Sequence, residues 1–190
     1  MGHSQAKKTE SHDRIVRVAA TSFRQSGVEG VGVADLMKDA GLTHGGFYRH
    51  FASREELVAE AIERALNDGG RAVAAIANRE HMALPALIEA YLSVAHRDGL
   101  ATSCAVTTLA SDVARCSKRA RSAYSRQVVI YLELLTKLVG GRTRKSRRVK
   151  AIAALSALVG AVSMARAVND ETLSREILKS AADELKATLR

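Results

Sequence analysis

Proline, cysteine and long apolar runs are scarce in this chain of 190 residues, which contains one proline and two cysteines. A chain almost free of proline, rich in alanine, leucine and valine and with apolar residues at helical spacing, predicts an all-α protein. Cys104 and Cys116 form no CxxC motif and have no His-rich companion motif. We therefore expect reduced, buried thiols and neither a disulfide framework nor a structural zinc site.

The chain also lacks the features that would place it in a membrane or make it an enzyme. No uninterrupted apolar run approaches the roughly 18 residues needed to cross a bilayer, and the first residues lack the hydrophobic segment of a secretory signal. No nucleophile motif, paired carboxylates, phosphate-binding loop or metal-ligand set is present. We expect a cytoplasmic protein that is not an enzyme, has no membrane partner and needs no cofactor or metal.

The formal charge of +9 indicates an anionic partner but does not locate it. Residues 1–60 contain eight Lys or Arg and eight acids, whereas residues 115–150 contain twelve Lys or Arg and the single acid Glu133. The location of a nucleic-acid site must therefore be argued from local geometry and not from the total charge.

Apolar spacing and helix-terminating glycines predict the order of the helices. Ser53 with Glu56 three residues later forms a capping-box sequence that starts a long helix running toward or beyond 67–70. Gly41 suits the left-handed position that ends a helix. The other expected helices cover about 11–25, 33–40, a short segment after Thr43, a segment from Pro85 to Ala95, 104–113, 119–139, 146–168, and a last one from Glu171.

Two glycines, Gly45 and Gly46, open the short helix after Thr43, where each costs about 1 kcal/mol relative to alanine. The helices at 33–40 and after Thr43, joined by a tight turn, form a helix-turn-helix with Phe47 and Phe51 on its buried side. A recognition helix places its first turn against the DNA backbone. Glycine there lets the backbone approach closely and directs N–H groups at phosphates, while Thr43 caps the helix through its hydroxyl.

Three other interpretations of this segment stay open. The glycine pair is compatible with an ordinary loop, and helix-turn-helix pairs also occur inside bundles that never meet DNA. The third interpretation is a metal pair formed by His44 and His50. Their spacing of six residues does not place them on one helix face, and no carboxylate or thiolate accompanies them as a further ligand.

The same residues resemble the N-terminal signature of TetR-family transcriptional regulators over about 11–60. The resemblance rests on Asp35-Leu36, Ala40-Gly41-Leu42-Thr43, Gly45, Phe47-Tyr48, His50-Phe51 and Ser53-Arg54-Glu55-Glu56-Leu57. It implies a homodimer of about nine helices per chain, with a three-helix DNA-binding domain at 1–52 and a helical effector-binding and dimerisation domain at 53–190.

The resemblance also implies roles for individual residues. Phosphate contacts are implied for Thr43, Tyr48, His50 and Arg54, and base-edge contacts for His44, Gly45, Gly46 and Arg49. With glycine at two reading positions, side-chain readout is sparse, so we expect specificity to depend on His44, Arg49 and DNA shape.

The last two expected helices carry apolar stripes that a monomer of this size does not easily cover, and small residues on the first of them permit close helix approach. A two-fold four-helix interface is the natural solution, with a hairpin inside one core as the alternative. The expected interface residues are Ile152, Leu155, Ser156, Val159, Gly160, Ser163, Leu173, Ile177, Ala181 and Leu185. An effector pocket is expected between about 66 and 168, where the aromatic or polarizable candidates are Tyr91, Cys104, Tyr124 and Tyr131.

The sequence therefore predicts a ligand-responsive, sequence-specific DNA-binding regulator. The expected form is a homodimeric repressor that a small molecule of unknown identity releases from a palindromic double-stranded operator. The alternative is a helical protein that binds nucleic acid non-specifically through the basic region at 115–150.

Overall fold

The computed structural model describes residues 2–77 and 84–189 of the chain, and the side chains of 5–71 and 84–189. This part of the chain is helical and contains no strand, which confirms the predicted all-α class. The helices are α1 (Gly2–Ser26), α2 (Val33–Asp39), a 3₁₀ helix (His44–Arg49), α3 (Arg54–Ala77), α4 (Leu84–Tyr91), α5 (Val94–Asp98), α6 (Ala105–Thr108), α7 (Ala110–Val113), α8 (Lys118–Leu138), α9 (Arg144–Ala167) and α10 (Glu171–Thr188).

Four of the predicted helices differ from those observed. Helix α1 begins nine residues before the expected start at Ser11. The helix expected from Pro85 to Ala95 is divided, because Ser93 leaves helical geometry and its side chain accepts a hydrogen bond from the His96 N–H to cap α5. The helix expected at 104–113 is interrupted at Leu109. The short helix after Thr43 is a 3₁₀ helix.

Helix α3 connects the two parts of the molecule. It packs on both α1 and α8, while α9 packs on α8 and α10 packs on α9. The Ser53 half of the predicted capping box forms at its start, where the Glu56 N–H donates to the Ser53 hydroxyl (3.2 Å). The Glu56 carboxylate accepts from the Ala52 N–H (2.6 Å), one residue before the predicted partner Ser53. The helix therefore begins at a fixed point just after the 3₁₀ helix.

Helix α9 is the one described helix whose length and composition would also allow it to cross a membrane, a property that the search for uninterrupted apolar runs does not reveal. The core helices of soluble proteins pass the same test. In this structure α9 packs between α8 and α10, with Ala151, Leu158 and Val162 fully buried against them.

Candidate nucleic-acid interface

Helix α2 and the 3₁₀ helix form the predicted helix-turn-helix. Gly41 ends α2 with φ +71°, a conformation that favours glycine. The Leu42 N–H donates to the Met37 carbonyl (2.8 Å) and closes the turn. Gly41 thus adopts the left-handed conformation predicted from the sequence.

Two phenylalanines fix the rotation of the 3₁₀ helix about its axis. Phe47 and Phe51 are each 2% exposed, and their rings stack at 5.4 Å between centroids. Since these rings face the core, the opposite side of the helix faces solvent. The exposed residues there are Thr43, His44, Gly45, Tyr48 and Arg49, with Tyr48 75% exposed.

Neither backbone geometry nor packing within the chain requires the glycine pair. Gly45 and Gly46 do not have positive φ. A β-carbon at Gly45 would meet no atom within 4 Å, and one at Gly46 would make only ordinary contacts at 3.7 Å with Met37 and Thr43. The cost of glycine in this helix therefore has no offset inside the described part of the molecule.

Two details of the predicted helix start were wrong. The Thr43 side chain makes no capping hydrogen bond. The Gly46 N–H is also not free, because it donates to the Thr43 carbonyl (3.0 Å) in the first turn. The N–H that stays available at the surface is that of Gly45, for which the described residues supply no backbone acceptor outside the helix.

His50, at the end of the 3₁₀ helix, is only partly exposed. Burial is the main cause that lowers its pKa, followed by the charges of His12, Lys8 and Arg49. Its Nδ1 is buried without a hydrogen-bond partner in the described part of the chain. His12 connects this region to α3, because its Nε2 lies 2.7 Å from the Glu60 carboxylate and its ring stacks on Phe51 at 4.5 Å. The phosphate contact implied for His50 stays a prediction.

Arg54 performs a structural task that the sequence did not indicate. Its guanidinium donates to the Val28 carbonyl (2.6 Å) and lies 3.4 Å from the Glu29 carboxylate. The Val28 N–H donates to the Asp112 carboxylate (3.2 Å) from the other side. The turn after α1 is thus held between α3 and α7, and Arg54 would have to keep or exchange these contacts to reach a phosphate.

We expect Arg54→Met to lower the free energy of unfolding by about 1–2 kcal/mol, because it removes a charge-assisted hydrogen bond to a backbone carbonyl. The exposed pair with Glu29 adds little to this. Urea unfolding followed by circular dichroism measures the change, and Glu29→Gln is the control that should stay within about 0.5 kcal/mol of the parent. Equal effects of the two substitutions would contradict the role of the Val28 contact.

The expected effector candidates only partly come together. The Tyr91 hydroxyl lies 2.5 Å from the Thr107 hydroxyl, and the Cys104 thiol lies 3.9 Å from the Tyr131 hydroxyl. Tyr124 instead donates to the Val106 carbonyl (2.8 Å). Burial raises the pKa of both Tyr91 and Tyr131.

The cavity beside Tyr91 and Tyr131 is apolar and holds only about 40 Å³, close to the space of one or two waters. The sequence expected the pocket anywhere between 66 and 168, and residues 78–83 of that span lie outside the described residues. The assignment of these four residues to an effector pocket stays a prediction.

His96 is held in one neutral form beside this cluster. Its Nδ1 lies 2.6 Å from the Tyr91 carbonyl, which accepts, and its Nε2 accepts from the Cys104 N–H (3.1 Å). Burial is the first cause that lowers its pKa.

We expect the free energy of unfolding to fall as the pH drops below about 6.5, because the unfolded chain protonates His96 there while the folded chain resists protonation. His96→Gln should flatten this dependence in urea unfolding between pH 7 and pH 5. A slope identical to that of the parent would show that His96 does not contribute.

The predicted interface residues fall into two groups in the single chain. Leu155 and Leu185 lie in the core of the chain, at 8% and 7% exposure. Ile152 and Leu173 are large apolar side chains left 47% and 42% exposed. The others are exposed or half-buried: Ser156, Val159, Gly160, Ser163, Ile177 and Ala181.

The basic region at 115–150 runs from just before α8 to the start of α9. Arg119, near the start of α8, pairs with Glu63 on α3 (2.9 Å), whereas Arg144 and Arg148 at the start of α9 pair with Glu133 in the second half of α8 (3.3 and 3.0 Å). A helix of this length spans about 30 Å. Residues 142–150 therefore lie far from the start of α8. Among the described residues no group of three or more His, Cys, Asp or Glu is arranged to hold a metal.

Residues 15–61 match the family described as bacterial regulatory proteins, tetR family. The chain is 33% identical over 85 residues to the uncharacterized HTH-type transcriptional regulator YfiR of Bacillus subtilis, covering 45% of this chain and 40% of that protein. It is 36% identical over 50 residues to the HTH-type transcriptional repressor KstR2 of Mycolicibacterium smegmatis, covering 26% of this chain and 24% of that protein. The matched segments thus span less than half of these curated relatives.

The fold as a whole also resembles solved structures. A TetR transcriptional regulator from Chloroflexus aurantiacus superposes with a TM-score of 0.78 at 24% identity, covering 97% of this chain and 98% of that one. At this identity the likeness establishes the fold and not the ligand.

Proposed function

We propose that this chain, a TetR-family regulator by its N-terminal domain and fold, is a homodimeric repressor that a small molecule releases from a palindromic DNA operator. The observation that carries the proposal is the exposed side of the 3₁₀ helix. There Gly45 is open to solvent with no internal reason to be glycine, between His44 and the exposed Tyr48 and Arg49. A backbone that must lie against a duplex supplies the missing reason.

Contacts to phosphate and to bases are divided among these residues in the proposal. The Gly45 N–H and the hydroxyls of Thr43 and Tyr48 donate hydrogen bonds to DNA phosphates. Such contacts position the protein on the duplex but do not read the base sequence. His44 and Arg49 carry the donors that can reach base edges in the major groove. The small number of reading side chains makes DNA shape part of the specificity.

A second copy of the chain completes the binding unit. Helices α9 and α10 leave Ile152 and Leu173 exposed, and Gly160 lies inside α9 where a β-carbon would meet no atom within 4 Å. That glycine therefore has no packing role within the chain, and a partner helix lying close to it would give it one. Two-fold pairing would present recognition helices about 34–36 Å apart, to match successive major grooves on one side of a duplex.

Release requires only that the effector bind more tightly to a conformer with the wrong spacing of recognition helices. A tenfold preference for that conformer corresponds to about 1.4 kcal/mol. In this proposal the protein works in the cytoplasm, where the operator and the effector are both accessible to it.

Selection of genomic fragments bound by the purified protein tests the proposal. We expect enrichment of one palindrome with half-sites about one helical turn apart, bound about a thousandfold or more tightly than bulk DNA. Equal affinity for all fragments, with a loss of binding on charge reversal of Arg142 and Lys145, would instead support the non-specific binder that uses the basic region.

A further inference from the structure

A cleft of about 310 Å³ lies between α3 and α8. Each helix contributes one face to it, because the lining residues recur at spacings of three and four. They are Glu63, Leu66 and Asn67 from α3, and Ala123, Arg126, Gln127 and Ile130 from α8. The volume lies at the lower end of the range of small-molecule sites.

Gln127 brings a buried donor to this cleft. Its side chain is 4% exposed, and its Nε2 makes no hydrogen bond of ordinary length in the described part of the chain. The amide lies near the Tyr131 hydroxyl, where it partly opposes the burial that raises the pKa of that phenol. A buried amide donor without a partner costs about 1–3 kcal/mol in general. An oxygen acceptor supplied by a bound molecule would satisfy it.

The opposite helix is shaped to admit this amide. Gly70 lies inside α3, and a β-carbon there would stand 3.0 Å from both the nitrogen and the oxygen of the Gln127 amide. A β-carbon at Gly69 would stand 3.5 Å from the Tyr131 hydroxyl. Packing inside the molecule explains these two glycines, whereas it does not explain Gly45. Their lack of a side chain lets α8 bring Gln127 and Tyr131 against the backbone of α3.

Arg126 places a positive charge at the mouth of the cleft. Glu63 accepts two hydrogen bonds from Arg119, at 2.9 and 3.3 Å, and lies 3.6 Å from Arg126 in a weaker ion pair. The Arg126 side chain is 66% exposed. Because Glu63 is already engaged by Arg119, Arg126 is able to pair with an incoming anion.

We propose that this cleft binds a small organic carboxylate, whose oxygens meet Gln127 Nε2 and the Arg126 guanidinium while its carbon body packs on Leu66, Ala123 and Ile130. The inference rests on the proposed function in one respect, since it makes this carboxylate the effector. The ligand would contact both α3 and α8, and it would therefore favour a particular spacing of these two helices. Helix α3 starts beside the recognition helix.

Nuclear magnetic resonance of the full-length dimer, labelled with ¹⁵N, tests the site with benzoate and hexanoate as probes. Benzylamine and hexylamine are the cationic counterparts with the same numbers of carbon atoms. We expect at least one carboxylate to shift the side-chain amide resonances of Gln127 in a saturable manner, and neither amine to do so.

Two variants of α8 each remove one positive charge. Together they distinguish binding in the cleft from general electrostatic attraction to the protein. Arg126→Gln should weaken carboxylate binding by about tenfold or more, whereas Arg121→Gln, an exposed arginine outside the cleft, should leave it within about twofold. Gln127→Glu should also abolish binding by repulsion, and Arg126→Gln keeps the test decisive if that buried substitution fails to fold.

The outcomes distinguish this inference from the proposed function. No saturable shift at Gln127, equal binding of the amines, or equal losses in the two arginine variants would overturn the carboxylate site. Saturable binding that leaves operator affinity unchanged would retain the site but overturn its role as effector site. Absence of any preferred operator, measured without added carboxylate, would overturn the regulator and leave the site standing.

Discussion

Gly45→Val is expected to remove specific operator binding while leaving the protein folded and dimeric. The structure tolerates the side chain, since a β-carbon at this position meets no atom within 4 Å and the backbone does not have positive φ. The added isopropyl group would stand between the helix and the duplex. Only non-specific affinity should remain, a loss of about a thousandfold or more in electrophoretic mobility shift with the selected operator.

Ala86→Val is the matched control, because it adds bulk at an exposed helical position of α4, away from the recognition helix. It should bind the operator like the parent. Gly45→Ala should lose an intermediate amount of operator affinity if the distance between the helix and the duplex causes the loss. Near-normal operator binding by Gly45→Val would contradict the close-approach argument, and circular dichroism with sedimentation verifies that fold and dimer persist.

Ile152→Asp is expected to convert the dimer to a monomer. In the proposed interface the two-fold axis repeats each substitution, so each dimer would bury two unpaired carboxylates, at a cost of more than about 3 kcal/mol. A monomer contacts only one half-site, so operator affinity should fall with dimerisation. Sedimentation equilibrium measures the first effect and mobility shift the second.

Val129→Asp supplies the control on α8, because Val129 is 49% exposed and Ile152 is 47% exposed. This variant should remain dimeric. If both variants stay dimeric, the α9 and α10 surface is not the interface. If both dissociate, the interface extends onto α8.

The helix-turn-helix was predictable from sequence because the signals that specify it are local. Gly41 adopts the left-handed turn that its position indicated, Phe47 and Phe51 are buried as their spacing predicted, and the Ser53 and Glu56 cap forms with its partners three and four residues apart. Each of these features depends on residues within one or two helical turns.

The features that sequence reasoning missed depend on distant partners. Arg54 bonds to a carbonyl 26 residues away, and Asp112 bonds to an amide 84 residues away. The buried amide of Gln127 becomes notable only when Gly70 on another helix is placed against it. The sequence places one set of α3 residues at helical spacing: Glu63, Leu66, Asn67 and Gly70. It does not show which face of α8 packs against them.

The role of Gly45 can be inferred only from the sequence and the structure together. The sequence shows a glycine pair in an unfavourable position, and the structure shows which glycines have internal reasons. Gly69 and Gly70 admit side chains of α8, whereas Gly45 admits nothing in the described molecule. The reason that we propose for Gly45 is contact with DNA, outside the chain.

A crystal structure of the dimer on its selected operator tests this claim most directly. We expect the Gly45 nitrogen about 3 Å from a phosphate oxygen, with the backbone of Gly45 and Gly46 in van der Waals contact with the duplex. A complex in which the operator is bound specifically while a β-carbon at Gly45 would still face open solvent would contradict the account.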